Sequence, residues 1–351
     1  MNLAGLACNQ SNEEIDKGVM ANESTNRAEG SALQAARFLV GDKPHCVWDW
    51  DLKKRNLDFI SAFDPEYFQF MAETIAQRWQ GEGDHRAAMS IRMLYGHALE
   101  TFFALVGATV QAPHCIPGWL QKYHQKDLEN IAQRMNQGHG LATLLSLKPL
   151  NWQNFSSALI HRVIFDSEEE RQRVADGFQK AWTRFANDMG RQELYREYNY
   201  IKHGFRARPG GFTMAVGQEK AYGVPPSPSE MVSLGGSKYG ASFFVPEPLG
   251  NSKNHFRLRS VSRNWIPENY FNRVCLLSMS MTNIISFLKE GLDDKIDPKT
   301  LKFAWPAETD GFDKPWAGNI GVTDCSFDSP VESGDIKIFT DEEIRADYQN
   351  K

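Results

Sequence analysis

The sequence predicts a mainly α-helical bundle that carries a loop-rich β-ribbon insertion and ends in an irregular tail. Three observations lead to this fold class. Long segments repeat apolar residues every three or four positions, as amphipathic helices do. Between residues 209 and 262, Gly and Pro cluster instead, helical periodicity is absent, and short runs have strand character. Beyond residue 291 the chain is rich in Trp, Pro, Gly and Asp and has no strong pattern.

The composition is that of a soluble globular protein. The chain has 351 residues, of which 41% are hydrophobic and 24% are charged, so it can bury a large core in one or two domains. Its formal net charge of -5 argues against a protein that coats nucleic acid without selectivity. Any nucleic-acid site is therefore expected to be a small, local basic patch.

Cysteines and histidines give no sign of a disulfide framework or a metal site. The 5 cysteines are far apart with no C-x-x-C pair, and the 9 histidines include no H-E-x-x-H motif. We therefore expect reduced thiols in a cytoplasmic protein that uses neither a metal nor a cofactor. A membrane-spanning helix needs an apolar run of about 18 residues or more, and the absence of such a run predicts no membrane contact.

The predicted domain plan has a single helical domain with an extension at each end. Residues 1–46, whose first part is rich in Asn, Glu, Ser and Gly, are predicted to form a flexible N-terminal arm. Residues 47–291 form the helical domain, and the insertion at 209–262 is expected to add one hairpin or ribbon and no second domain. Residues 292–351 are predicted to be an irregular C-terminal extension.

Capping residues support the predicted helix boundaries. Asp64 and Pro65 supply an N-cap and a proline at the first helical position, and Ser167 with Glu170 forms a capping box. Gly138 is the residue type expected just past a helix end. The predicted helices cover about 65–79, 84–108, 119–137, 152–165, 167–190, 193–203 and 266–291, followed by a short strand at 336–339 and a short acidic helix at 340–351.

The segment 193–204, with the sequence ELYREYNYIKHG, places three polar side chains on one helix face. At about 100° per residue, Arg196, Asn199 and His203 stand at i, i+3 and i+7. Positive charge is favoured near a helix C-terminus by the negative end of the macrodipole. A guanidinium, an amide and an imidazole are therefore expected close together, and this helix face is the first candidate for a functional site.

Spacing alone leaves three interpretations of this segment open. Its charged residues cap a helix end and pair with acids, or they bind phosphate without catalysis. In the third interpretation they act on a phosphodiester, where His203 moves a proton, Arg196 neutralises charge on the phosphate and Asn199 orients either of them. The residues expected to bind the substrate are Lys202, Arg206, Arg208 and, by stacking on a base, Tyr200.

The pair Arg196 and His203, with six residues between them at the end of a helix, resembles the arginine-to-histidine signature of HEPN domains. The pattern Y-N-x-x-K-H-G at 198–204 is similar to segments of HEPN-like bacterial proteins. The resemblance covers about residues 65–204 and 266–291. It implies a homodimer of helical bundles in which two Arg/His pairs form a composite, metal-independent endoribonuclease site. Here His203 would be the catalytic acid or base and Arg196 the transition-state cation.

The same resemblance extends to a second class of function. Some HEPN-like proteins are non-catalytic partners or scaffolds, so a shared fold does not settle activity. The first expectation is an endoribonuclease that acts on single-stranded RNA, as a toxin or an antiviral effector. The alternative is a non-enzymatic helical binding or interaction protein that uses the same basic surface for phosphate or partner contact, and the sequence leaves both open.

Overall fold

A computed structural model describes residues 33–78, 84–161, 163–203, 206–249, 254–292, 296–327 and 336–349. It is about 52% helical and 17% strand, with eight strands in three sheets. The fold is therefore mixed α/β, and the prediction of a mainly α-helical bundle is wrong. Part of the error has a physical source: some strands pair with segments far apart in the sequence, where local periodicity carries no signal.

Helices and strands follow one another in this order. The helices are α1 (Leu52–Ala62), α2 (Tyr67–Gln77), α3 (His85–Gln111), α4 (Ile116–Leu120), α5 (Gln125–Gln137), α6 (Trp152–Ile160), α7 (Glu168–Gly190), α8 (Gln192–Lys202), α9 (Pro267–Leu292) and α10 (Asp341–Gln349). The strands are β1 (Gln34–Val40), β2 (Lys43–Asp49), β3 (Ala207–Pro209), β4 (Thr213–Val216), β5 (Val232–Gly236), β6 (Gly240–Pro248), β7 (Phe256–Asn264) and β8 (Asp324–Phe327).

The chain divides into two compact units. The first comprises Met1–Arg78, Ile91–Arg196 and Glu268–Ala317, and the second comprises Trp79–Ser90, Glu197–Pro267 and Gly318–Lys351. The insertion at 209–262, for which we predicted one ribbon and no second domain, lies in the second unit. Its strands belong to two different sheets, because β3, β6 and β7 pair in one and β4 and β5 in another.

Buried aromatic side chains form the core of the first unit. Their rings pack in contact, with centroids 5.9 Å apart for Trp152 and Trp182 and 6.0 Å apart for Phe102 and Trp182. Buried indoles need a hydrogen-bond acceptor, and each has one here. Trp182 donates to Ser280 over 2.9 Å, and Trp152 donates to Asn136 over 2.6 Å. The core is thus apolar in bulk while its polar ring atoms remain satisfied.

Two predicted helix boundaries are confirmed by their caps, whereas α2 begins at Tyr67 with Glu66 at the N-cap and not at the predicted Asp64 and Pro65. The Ser167 side chain accepts a hydrogen bond from the backbone N–H of Glu170 over 3.1 Å at the start of α7. Gly138 ends α5 in the left-handed conformation with φ 72°, as the sequence predicted. The single helix predicted over 119–137 is instead divided into α4 and α5, because His124 and Asp127 form a capping box that starts a new helix.

Regular structure begins earlier than predicted at the N-terminal end. Strands β1 and β2 form an antiparallel hairpin, most of which lies in the segment 1–46 predicted to be a flexible arm, and Gly41 turns the chain with φ 61°. The pattern Gly41-Asp42 between two apolar runs is a hairpin signal that the sequence analysis missed. Residues 1–32 of the predicted arm lie outside the part of the chain that the structure describes.

Two helices are long and apolar enough to cross a membrane by length and composition. They are α3 and α9, and 72% and 67% of their most apolar windows are buried inside the protein. The expectation that length excludes such helices was therefore too strict, since it required an uninterrupted apolar run. A helix at the centre of a globular core passes the same composition test, and the burial of both helices fits that position.

In the second unit, the largest sheet is antiparallel with the strand order β3-β6-β7-β8. Strand β8 comes from the C-terminal extension, which also supplies α10, so this extension is less irregular than predicted. The helix predicted at 340–351 is confirmed as α10, whereas residues 336–339 form no strand. Along β6, alternate residues such as Ala241 and Phe243 are buried, so one face of this sheet packs inward.

Strand β7 reverses the usual alternation. Phe256 and Leu258 are 52% and 58% exposed, whereas Arg257 and Arg259 are half-buried. The cause lies on the neighbouring strand, where the Glu247 carboxylate lies 2.8 Å from Arg257 and 3.0 Å from Arg259. Because one carboxylate holds both guanidinium groups on its own face, the apolar residues of β7 are left on the other face.

The packing of α7 generates a prediction about its glycines. An alanine at Gly177 would bring its Cβ into steric clash with the ring of Phe312, whereas no atom lies within 4 Å of a Cβ built at Gly190 of the same helix. We expect Gly177→Ala to lower the free energy of unfolding by about 1–3 kcal/mol through overpacking. The control Gly190→Ala should raise it by up to about 1 kcal/mol, because alanine favours helix. Urea unfolding measures both, and equal stabilities would contradict this packing.

Candidate functional site

Helix α8 carries the predicted polar residues. The structure confirms a helix over this segment, and the backbone N–H of His203 donates to the carbonyl of Asn199 over 2.9 Å in its last turn. The hydrogen-bonded turn extends the helical path to His203, so Arg196, Asn199 and His203 keep the i, i+3 and i+7 relation on one face. Gly204, expected just past the helix end, lies outside the described residues.

The buried side of α8 carries a carboxylate, that of Glu197. Glu197 is 0% exposed, and the indole N–H of Trp265 donates to its Oε1 over 2.7 Å. An Arg263 guanidinium nitrogen lies 3.7 Å from Oε2, and the Nε of the same arginine lies 3.1 Å from a carboxylate oxygen of Asp324. Because these partners compensate the buried charge, the acid next to Arg196 is directed inward and not toward the polar face.

Arg196 and His203 are exposed, and Asn199 is half-buried. Within the described part of the chain, neither the guanidinium of Arg196 nor the imidazole of His203 forms an ion pair or a side-chain hydrogen bond. Exposed basic groups that are not engaged by protein acids are available to an anionic ligand. The face of α8 defined by Arg196, Asn199 and His203 is called the α8 polar face below.

Residues predicted to bind the substrate continue from this helix. Lys202, Arg206 and Arg208 are all exposed, and the backbone N–H of Arg206 donates to the Tyr200 carbonyl over 2.9 Å. The guanidinium of Arg208, on β3, lies 5.5 Å from the ring centroid of Phe244. Cations are thus concentrated around the end of α8, which can attract phosphate.

Tyr200 is less available for stacking than predicted. Its ring stacks on Phe243 with a centroid distance of 5.1 Å and an interplanar angle of 28°. One ring face is therefore occupied by the sheet, and the side chain is half-buried. The neighbouring Tyr198 is buried as well, with the Lys202 ammonium 5.1 Å from its ring centroid. Both tyrosines therefore pack within the protein, and only one face of the Tyr200 ring is left for a ligand.

Three buried groups of the first unit, two thiols and one phenol, are held in their protonated forms. Burial raises the pKa of the Cys275 thiol to about 12, and burial also raises the pKa of Cys115. The pKa of Tyr95 is raised by burial and then by the adjacent Asp188 carboxylate, to which its hydroxyl donates over 2.6 Å. All of these groups stay protonated at neutral pH. Among the described residues, no group of three or more His, Cys, Asp or Glu could hold a metal ion.

Sequence reasoning missed the residues that support α8. Trp265 and Arg263 lie more than sixty positions beyond Glu197 in the sequence, so no local spacing could indicate that they meet it. A second missed contact is Arg92, a buried residue of α3 that donates to the Leu194 carbonyl over 3.3 Å. Its guanidinium lies 5.0 Å from the ring centroid of Tyr270. A buried charge within a helix is the one signal that could have directed attention to these supports.

Comparison of the chain with family models, with curated proteins and with solved structures gives no match. The resemblance to HEPN domains therefore depends on the local residues alone and stays a prediction. The roles assigned to Arg196, Asn199 and His203 likewise stay predictions, while their helical placement and exposure are features of the structure.

The support of α8 generates a second prediction. Glu197→Ala should lower the free energy of unfolding by about 3 kcal/mol or more, because it leaves the Trp265 indole and the Arg263 guanidinium without their buried partner. Glu197→Gln should cost less, because its amide oxygen can still accept from Trp265. The control Glu193→Ala, on an exposed position of the same helix, should change stability by less than about 0.5 kcal/mol. Similar losses for both alanine variants would refute the anchoring role of Glu197.

Proposed function

We propose that this protein is a metal-independent endoribonuclease that acts as a homodimer on single-stranded RNA. The observation that carries the proposal is the α8 polar face, where Arg196 and His203 are exposed and free of protein acids. Their neighbour Glu197 supports this use of the face, because its carboxylate is buried and paired and does not oppose a phosphate. The proposed site is cytoplasmic, in a toxin or an antiviral effector.

The proposed reaction is an attack of the ribose 2′-hydroxyl on the neighbouring phosphate. The 2′-oxygen loses a proton as its bond to phosphorus forms, and the departing 5′-oxygen gains a proton as its bond breaks. The products are a 2′,3′-cyclic phosphate and a 5′-hydroxyl. His203 moves a proton, Arg196 stabilises the charge that develops on the phosphate oxygens, and Asn199 orients either group.

The proton balance favours a homodimer. The reaction needs one group that accepts a proton and one that donates a proton, whereas the α8 polar face of one chain holds a single imidazole. A second copy of the same face, brought opposite by two-fold symmetry, supplies the other imidazole and a second guanidinium. The cations Lys202, Arg206 and Arg208 then hold the RNA backbone on both sides of the cleaved bond.

RNA cleavage tests the proposal directly. The purified protein should cleave single-stranded RNA in EDTA, and His203→Ala should lower the rate by about 100-fold to 10,000-fold, as expected for loss of a general acid or base. Arg196→Ala should lower it by about 100-fold to 1,000-fold. The controls His161→Ala and Arg191→Ala remove exposed residues of the same types and should leave the rate unchanged.

Two further readouts of the same assay separate catalysis by His203 from contamination. The proposed reaction both removes and delivers a proton at a side chain, so the rate should depend on pH. The rate per chain should also fall on dilution below the concentration at which the dimer dissociates in sedimentation experiments. A flat pH profile, or cleavage that persists in both alanine variants, would refute the proposed mechanism.

The second candidate function is RNA binding without cleavage through the same residues. It is favoured by the composition of the exposed surface at the end of α8, where Lys202, Arg206 and Arg208 surround a single imidazole. A binding protein needs these cations, whereas it needs neither the imidazole nor a second copy of the chain. Intact RNA beside a folded, dimeric wild-type protein would support this candidate.

Salt dependence of RNA affinity tests the contribution of these cations in either case. A contact with a single-stranded phosphate adds about 0.7 to the slope of log affinity against log salt concentration. Arg206→Gln and Arg208→Gln should each lower that slope by about 0.7 and weaken binding to all sequences similarly. The control Arg345→Gln, an exposed residue of α10, should leave the slope unchanged. Equal slopes for all of these proteins would exclude both arginines from the RNA contact.

A further inference from the structure

A cleft of about 490 Å³ lies in the first unit and is not used by the proposed reaction. Its walls come from the β1–β2 hairpin, the end of α3 and the loop at residues 142–144. This volume is within the range of about 300–1,000 Å³ that small-molecule sites occupy in proteins. The cleft is therefore large enough for a ligand of modest size, and its walls decide which kind.

One buried amide connects the three walls. The Gln111 side-chain oxygen accepts from the backbone N–H of Gly41 over 2.9 Å and from the indole of Trp119 over 3.3 Å. Its side-chain nitrogen donates to the Gly41 carbonyl over 2.8 Å and to the Ala142 carbonyl over 3.2 Å. Because Gln111 joins the hairpin turn to the loop at residue 142, the cleft is formed before any ligand arrives.

The loop is held to α3 by its own hydrogen bonds as well. The Thr143 hydroxyl donates to the Val110 carbonyl over 3.0 Å, and the backbone N–H of Leu144 donates to the same carbonyl over 2.9 Å. A ligand site with fixed walls spends little free energy on ordering its residues. These contacts favour a binding site over an accidental gap between loops.

The lining is mainly apolar and includes one arginine. Apolar side chains line most of it, and the ring of Phe38 stacks on that of His45 with centroids 5.7 Å apart. Arg37 also lines the cleft, is exposed, and forms no ion pair with any residue in the described ranges. Arg37 lies directly across the hairpin from Cys46, whose thiol is free and exposed.

We propose that this cleft binds a small apolar molecule that carries one anionic group, such as a medium-chain carboxylate. The apolar walls take the hydrocarbon part, which gains free energy by leaving water. The guanidinium of Arg37 pairs with the carboxylate, for which its planar donors are well suited. Neither the α8 polar face nor RNA takes part, so this site stands or fails independently of the nuclease proposal.

The proposal is tested on the full chain by calorimetry. The probe is decanoate, and the matched control is the neutral decanol. Decanoate should bind with one molecule per chain and more tightly than decanol. Arg37→Gln should weaken the binding of decanoate about threefold to fivefold, as for loss of one exposed ion pair, and should leave the affinity for decanol unchanged. The control Arg191→Gln should affect neither probe.

A second test of the proposal is to block the cleft. Ala142→Trp adds an indole at the cleft wall and should abolish decanoate binding, whereas Ala62→Trp adds the same group at an exposed position of α1 and should not. In the wild type, decanoate should also slow alkylation of Cys46, followed by peptide mass spectrometry. Equal affinity for decanol and decanoate, undiminished binding to a folded Ala142→Trp variant, or unchanged alkylation of Cys46 would each overturn the proposal.

Discussion

The buried carboxylate of Glu197 is the constraint on which the candidate site depends. A carboxylate that is 0% exposed is tolerated only when donors surround it, and Trp265 and Arg263 provide them. Both partners come from the end of β7 and the residue that follows it, so a polar contact attaches α8 to the sheet. At about 100° per residue, Arg196 and His203 are each about 100–120° away from Glu197 around the helix axis, and both are exposed. The buried ion pair and the indole hydrogen bond of Glu197 therefore fix the rotation of α8 that leaves the α8 polar face accessible.

Helices of this protein could be predicted because their signals are local. The apolar stripe of α7 and the Ser167 cap occur within a few turns of each other, and the structure confirms both. Some strands instead depend on partners that are distant in the sequence. Strand β8 pairs with β7 across a gap that contains all of α9, so neither strand alone indicates the pairing. The error in fold class arose there, since segments without helical periodicity were assigned to loops.

Strand β7 shows a further limit of pattern reasoning. Alternation of Phe256 and Leu258 with Arg257 predicted a strand correctly, and the usual rule would then bury the apolar residues. The structure does the opposite, because Glu247 on β6 attracts the arginines to its own face. An ion pair of this kind is specified by cross-strand register, which a single strand does not contain. The period of a strand is therefore predictable from its own residues, whereas its orientation depends on its neighbour.

In the candidate site too, features set by neighbouring residues were predictable from the sequence, and contacts with distant residues were not. The i, i+3 and i+7 spacing placed Arg196, Asn199 and His203 together because a helix face is local, and it could not foresee that Phe243 covers one ring face of Tyr200. What the α8 polar face can do then depends on the number of copies present. In the proposed binding function, the cations of one face are sufficient for a phosphate, whereas the proposed cleavage needs one group that accepts a proton and a second that donates one. Under these proposals, the assembly of two chains, which would bring a second imidazole to the site, distinguishes RNA cleavage from RNA binding alone.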